Sequence, residues 1–206
     1  MSYLQLRYSE SYDASLSGWT GALDAAYFDA HYDRWLREYV EPAQTYVNEL
    51  QAAWDAVNEP VFAAFRQFGY SFLEVWPAYA VHRWPGVVGF KDPLTFFVDE
   101  PRAEALVLLT HELVHCHEDY PANRATYEKV RTHIFERFAG EPIAVRYHLP
   151  TICVQWAVLR RVFPERYPEL IALSCRHPLL QRCAEILENA GGRVDYSDPL
   201  GSLVEL

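Results

Sequence analysis

LVLLTHELVHCHEDY occupies residues 106–120. Leu106, Leu109, Leu113 and Cys116 recur at spacings of three and four, the period of a helix with one apolar stripe. His111 and His115 stand four apart on the opposite side, and helical residues four apart point the same way, one turn above the other. The segment therefore offers two imidazoles to one point, with Glu112 one step around the same helix.

That pair suits zinc, which takes imidazole nitrogens at about 2.0–2.1 Å. Glu112 can reach a water on such a metal without being a ligand. Zinc lowers the pKa of that water toward about 7; the carboxylate takes its proton as it attacks a carbonyl carbon and hands the proton to the leaving amine. The plain alternative is a helix whose two histidines are solvated or hydrogen-bonded in the core.

Outward from this helix the chain divides by composition. The segment "DAAYFDAHYDRWLREYV" places Phe28, Tyr32, Leu36 and Val40 four apart, and "QTYVNELQAAWDAV" puts Val47, Leu50, Trp54 and Val57 on one stripe, so both predict amphipathic helices. Glu41-Pro42 is expected to separate them, and Glu59-Pro60 precedes "VFAAFRQF", where Val61, Phe65 and Phe68 continue the helical period. Residues 1–70 thus read as a helical layer. Residues 71–100 are rich in aromatic and β-branched side chains, with "PGVVGFKDP" between "SFLEVWPAYAVHRW" and "PLTFFVD", and predict a small antiparallel sheet. Pro77 and Pro93 place its strands at an edge or beside their own starts, because proline cannot donate to a ladder; an exposed edge would suit a peptide-binding cleft.

Residues 101–190 read as the active-site helix and its supports: "PRAEALVLLTHELVHCHED", "NRATYEKVRTHIFERFAG", "EPIAVRYHLPTICVQWAVLRRVF" and "PLLQRCAEILENAGG". Pro101 suits a first turn, Gly140 and Gly191 suit stops, and Pro150 is expected to kink or interrupt the third of these helices. The whole, residues 1–206, is expected to be one mostly helical α/β (α+β) domain.

At this point the chain resembles a zincin-like metallopeptidase of the HExxH superfamily: "HELVH" lies in an apolar helix, and "PLTFFVD" just upstream matches the edge strand lining the cleft of such enzymes. The likeness covers roughly residues 72–165 and rests on the five motif residues. It is not to the metzincins, because Glu118 and Pro121 stand where their glycine and third histidine would be, and Met1 is the only methionine. A third ligand must come from a later helix, from Glu128, Glu136, Glu141, His148 or His133. "EPIAVRYHLPTICVQWAVLRRVFPE" resembles a helix in small bacterial and archaeal HExxH proteins, and on that match His148 is the ligand. Glu141, two turns earlier, and Glu136, in mid-helix, stay open as alternatives. What the resemblance implies is a zinc metallopeptidase with His111, His115 and His148 on Zn2+ and Glu112 as general base. A zinc hydrolase of a small amide, or a non-catalytic zinc-stabilised interaction module, are the other readings.

Around the motif, His117 reads as a solvated residue on another side of the helix, and Cys116 as core packing. Tyr147, Arg146 and His177 are possible oxyanion donors. The formal charge of −10 repels phosphate backbones and anionic lipids, so neither nucleic acid nor membrane is an expected partner. The absence of a basic stretch followed by an apolar one in the first 20 residues, and of any long apolar run, predicts a cytoplasmic protein. Four widely spaced cysteines without a Cys-x-x-Cys pair read as reduced thiols.

Overall fold

The computed structural model describes residues 2–16, 33–83, 93–190 and 194–205. The first element is a strand, β1 (Tyr3–Tyr8), followed by a short helix, α1 (Glu10–Leu16). The opening residues are therefore not part of a helical layer. Leu4 and Leu6 are buried while Gln5 and Arg7 are not, the period-two alternation of a half-buried strand.

Of the helix expected from Asp24, residues 24–32 lie outside the described residues. Its remainder runs into the next helix rather than stopping at Glu41-Pro42: a π-helical turn, Leu36–Val40, passes directly into α2 (Glu41–Asp55). The Glu41 N–H reaches back to the Leu36 carbonyl, and a widened turn of this kind fits a proline that lacks the N–H for regular pairing. Val47, Leu50 and Trp54 form the buried stripe of α2. Next comes α3 (Asn58–Gln67), which ends in a Schellman turn. Gly69 takes a φ of 83°, its N–H bonds to Arg66 and that of Tyr70 to Phe65, so the last carbonyls are satisfied.

The sheet continues with β2 (Val75–Val81) and β3 (Leu94–Phe97), in the order β1-β2-β3. Both pairings are parallel, Tyr3 opposite Val75 and Ala78 opposite Leu94, which corrects the expected antiparallel arrangement. An antiparallel pair follows from a tight turn, whereas a parallel one needs a long return; the "PGVVGFKDP" stretch between β2 and β3 lies, up to Asp92, outside the described residues.

Pro77 is in the central strand, not at an edge. The ladder explains why this costs little. Tyr3 N–H bonds the Glu74 carbonyl and Val98 N–H the Val81 carbonyl, so even-numbered residues of β2 face β1 and odd-numbered ones face β3. The Pro77 nitrogen thus points to the β3 side, ahead of the first β3 partner. The free side of β1 is closed by side chains: Leu4 N–H bonds Asn58 Oδ1 at 3.1 Å and Leu6 N–H bonds Gln51 Oε1 at 2.7 Å.

Six helices follow: α4 (Arg102–Asp119), α5 (Pro121–Arg137), α6 (Ile143–Val162), α7 (Tyr167–Ser174), α8 (Pro178–Asn189) and α9 (Pro199–Glu205). The expected stop at Gly191 lies outside the described residues. The fold is centred on α6, which touches α3, α4, α5, α7, α8 and α9 and is buried without a break from Leu149 to Leu159. It runs through Pro150 uninterrupted, so the proline does not break the helix. A proline inside a helix costs roughly 3 kcal/mol, and the packing of this helix on six neighbours outweighs that. On its other side α4 lies against β3 and α6, so the helix carrying the motif is held between sheet and core. Among the described residues, no helix is long and apolar enough to cross a membrane.

Candidate metal centre

Because α4 and α6 pack side by side, the turn carrying His111 and His115 faces the turn carrying His148. One nitrogen from each of these three histidines lies within 4.8 Å of the others. The Nε2 atoms of His111 and His115 are 3.1 Å apart, against roughly 3.3 Å for two nitrogens on a tetrahedral zinc. The rings of His111 and His148 are nearly parallel, 15° apart with centroids at 5.8 Å, and His115 stands across both at 80° and 85°.

The other nitrogen of each ring is already occupied. Gln155 Nε2 donates to the Val107 carbonyl at 2.9 Å, which turns its Oε1 toward His111 Nδ1 at 3.2 Å. Glu118 Oε2 lies 3.4 Å from His115 Nδ1, and the Ala144 carbonyl 2.9 Å from His148 Nδ1. An acceptor at each Nδ1 places the proton there and leaves each Nε2 with a bare lone pair. Desolvation, then the neighbouring His115, push the His111 imidazole down to about 3, and burial lowers His148 as well. Both shifts favour the neutral imidazole, the form a metal binds. Three imidazole nitrogens converging in this way are a donor set that zinc accepts, since it prefers nitrogen and sulfur in a tetrahedral set.

Glu112 is buried, 8% exposed, beside His111 at 7%. Helix geometry puts it about 100° around from His111 and on the His115 side. The remaining ligand candidates are not brought to the cluster. Glu128 and Glu136 are exposed, Glu141 pairs with Arg182, and His133 is half-buried on α5 outside the three-histidine group. Of the suggested oxyanion donors, Arg146 lies over the Phe135 ring, Tyr147 packs between Phe135 and Arg131, and His177 caps α8 through its Nδ1.

Two sequence-based expectations for neighbours of the motif part ways. Cys116 is buried in the core as expected. His117 is not solvated: it is wholly buried, with Phe65, Tyr70, Phe72 and Trp76 around its ring. The reason is that α4 is covered on both sides, by the sheet and α3 as well as by α6.

Sequence reasoning missed Gln155 and Glu118 as partners of the histidines. Gln155 had a signal, a lone polar residue in the apolar run "TICVQWAVL", seven residues after His148 and so on the same face. Glu118 had a weaker one, its position three residues after His115.

Comparison with known proteins adds no relative: no family model matches the chain, and neither a curated protein nor a solved structure matches it.

Proposed function

We propose that this protein is a zinc-dependent hydrolase that cleaves peptide bonds. One observation carries the reading: among the described residues, His111, His115 and His148 converge without a fourth protein ligand. Structural zinc sites are closed by four side chains, and catalytic ones keep a position open. Zinc bound there would supply a Lewis acid and a water acidified toward a pKa of about 7.

The chain's own residues then divide the work. The three Nε2 lone pairs would hold the metal, and Gln155, Glu118 and the Ala144 carbonyl meet the rings at Nδ1 and fix their orientations. Glu112, flanking the pair on α4, would take the proton from the attacking water and return it to the leaving amine. The side chains of Leu94–Phe97 are all buried, so the support for an amide substrate comes from this carboxylate beside the metal ligands and not from the sheet edge. The burial of His111 and Glu112 favours, as a second reading, an amide small enough to enter a narrow site.

The test is hydrolysis of a peptide panel and a small-amide panel by zinc-loaded protein, with Glu112→Gln alongside. Peptide cleavage that falls roughly 100-fold or more in the variant, with zinc retained, is the expected result. Cleavage confined to small amides selects the second reading. No turnover on either panel by zinc-loaded wild type overturns both and leaves zinc as a clamp between helices.

A further inference from the structure

Glu118 is the point at which three helices meet the metal centre. It sits on α4, with 4% of its side chain exposed. Its Oε1 accepts from Thr151 Oγ1 of α6 at 2.5 Å. Its Oε2 lies 3.5 Å from Arg131 Nη2 of α5 and 3.4 Å from His115 Nδ1.

A buried carboxylate is costly unless its oxygens are met by donors, and here each oxygen has one or two. Thr151 fixes where the carboxylate sits, and Arg131, about one-third exposed, supplies the opposite charge from the protein surface. The remaining donor is the imidazole. A neutral histidine has one N–H, and Glu118 can accept it only at Nδ1, so the carboxylate selects the tautomer whose Nε2 lone pair points at His111 and His148.

We infer that Glu118 is a positioning residue for the metal centre, holding His115 in its Nδ1–H tautomer and thereby raising the affinity for zinc. The inference rests on the three-histidine reading for its effect on zinc, but its effect on the tautomer does not need a metal at all. Among the described residues, His111 and His148 have neutral acceptors, an amide oxygen and a backbone carbonyl. His115 has a carboxylate behind it, and such a partner fixes the ring and strengthens it as a ligand.

Two readouts separate positioning from a simple packing role. In the metal-free protein at pH 7.5, nitrogen chemical shifts of His115 report its tautomer directly. Wild type is expected to show the Nδ1–H form, and Glu118→Ala a mixture or the Nε2–H form. In zinc competition titrations, Glu118→Ala is expected to bind ~10–100-fold more weakly than wild type, with Glu118→Gln, which keeps one acceptor oxygen, in between. If Glu118→Ala does not fold, Thr151→Val removes one anchor of the same carboxylate and is read the same way, with a smaller shift. A wild-type His115 already mixed between tautomers, or a variant that is less stable with its tautomer and zinc affinity unchanged, overturns the inference. Absence of turnover in zinc-loaded wild type would count against hydrolysis and leave both of these readouts standing.

Discussion

His111 and His115 hold their Nε2 atoms 3.1 Å apart while Gln155 and Glu118 occupy the opposite nitrogens. With both rings in the Nδ1–H form, two lone pairs face each other at hydrogen-bond distance, a repulsion that a cation between them turns into attraction. A metal would resolve this arrangement with His148 as third partner. A proton could bridge the first two rings, but desolvation opposes it, pushing the His111 imidazole down to about 3.

The metal-free protein should therefore lose stability as pH falls. His111 has a folded pKa of about 3 against 6.5 in the unfolded chain, so between those values the unfolded chain binds more protons. Its contribution is fully present above about 6.5 and is lost progressively as pH falls toward 3. His117 and His148, both lowered by burial, act in the same direction. For His111 the loss approaches about 1.4 kcal/mol for each pH unit between those two values. Urea unfolding of chelator-treated protein at pH 7.5 and pH 5.5 checks this; equal midpoints would contradict neutral burial of these rings.

His117 offers a separate test on the other side of α4. Both its ring nitrogens are buried without a hydrogen-bond partner, and its ring meets Phe72 edge-to-face with centroids 3.6 Å apart. An aromatic face is a weak acceptor, so a polar group here is held at a cost. His117→Phe is expected to raise stability by about 1–2 kcal/mol and leave zinc binding unchanged. A loss of more than about 1 kcal/mol would mean that the ring nitrogens are satisfied after all, or that the larger ring overpacks the site.

Asn58 should matter for the sheet and not for the metal. Its Oδ1 accepts from Leu4 N–H at 3.1 Å and Trp54 Nε1 at 2.9 Å, and its Nδ2 donates to the Ser2 carbonyl at 3.0 Å. Asn58→Ala leaves two buried donors unpaired and is expected to cost about 2–4 kcal/mol. The urea midpoint should fall with little change in slope and with zinc stoichiometry intact; an unchanged midpoint would show that water replaces the side chain.

What could be read from the sequence was local. The stripe Leu109, Leu113 and Cys116 and the pair His111 and His115 are set by the helical period, so α4 was legible to within a residue or two. The place of two strands in residues 71–100 was legible too, but their pairing was not, because parallel or antiparallel pairing depends on the course of the chain between strands. Pro77 misled for the same reason: its tolerance rests on which side of β2 its nitrogen faces. Tyr3–Tyr8 carried a period-two pattern that was overlooked beside the stronger helical ones. His148 could be named only by likeness, since its approach to α4 depends on α6 continuing through Pro150, a packing result. His117 was misjudged, and Glu118 passed over, because burial of both sides of α4 is a property of its neighbours.

Whether His111, His115 and His148 together hold one metal ion is read from the zinc content, by mass spectrometry, of untagged protein, wild type beside His148→Ala and Glu141→Gln, after equal exposure to low micromolar zinc. About one zinc per chain in wild type and in Glu141→Gln, and little in His148→Ala, is the predicted result. No zinc in wild type, or full zinc in His148→Ala with loss in Glu141→Gln, would contradict it.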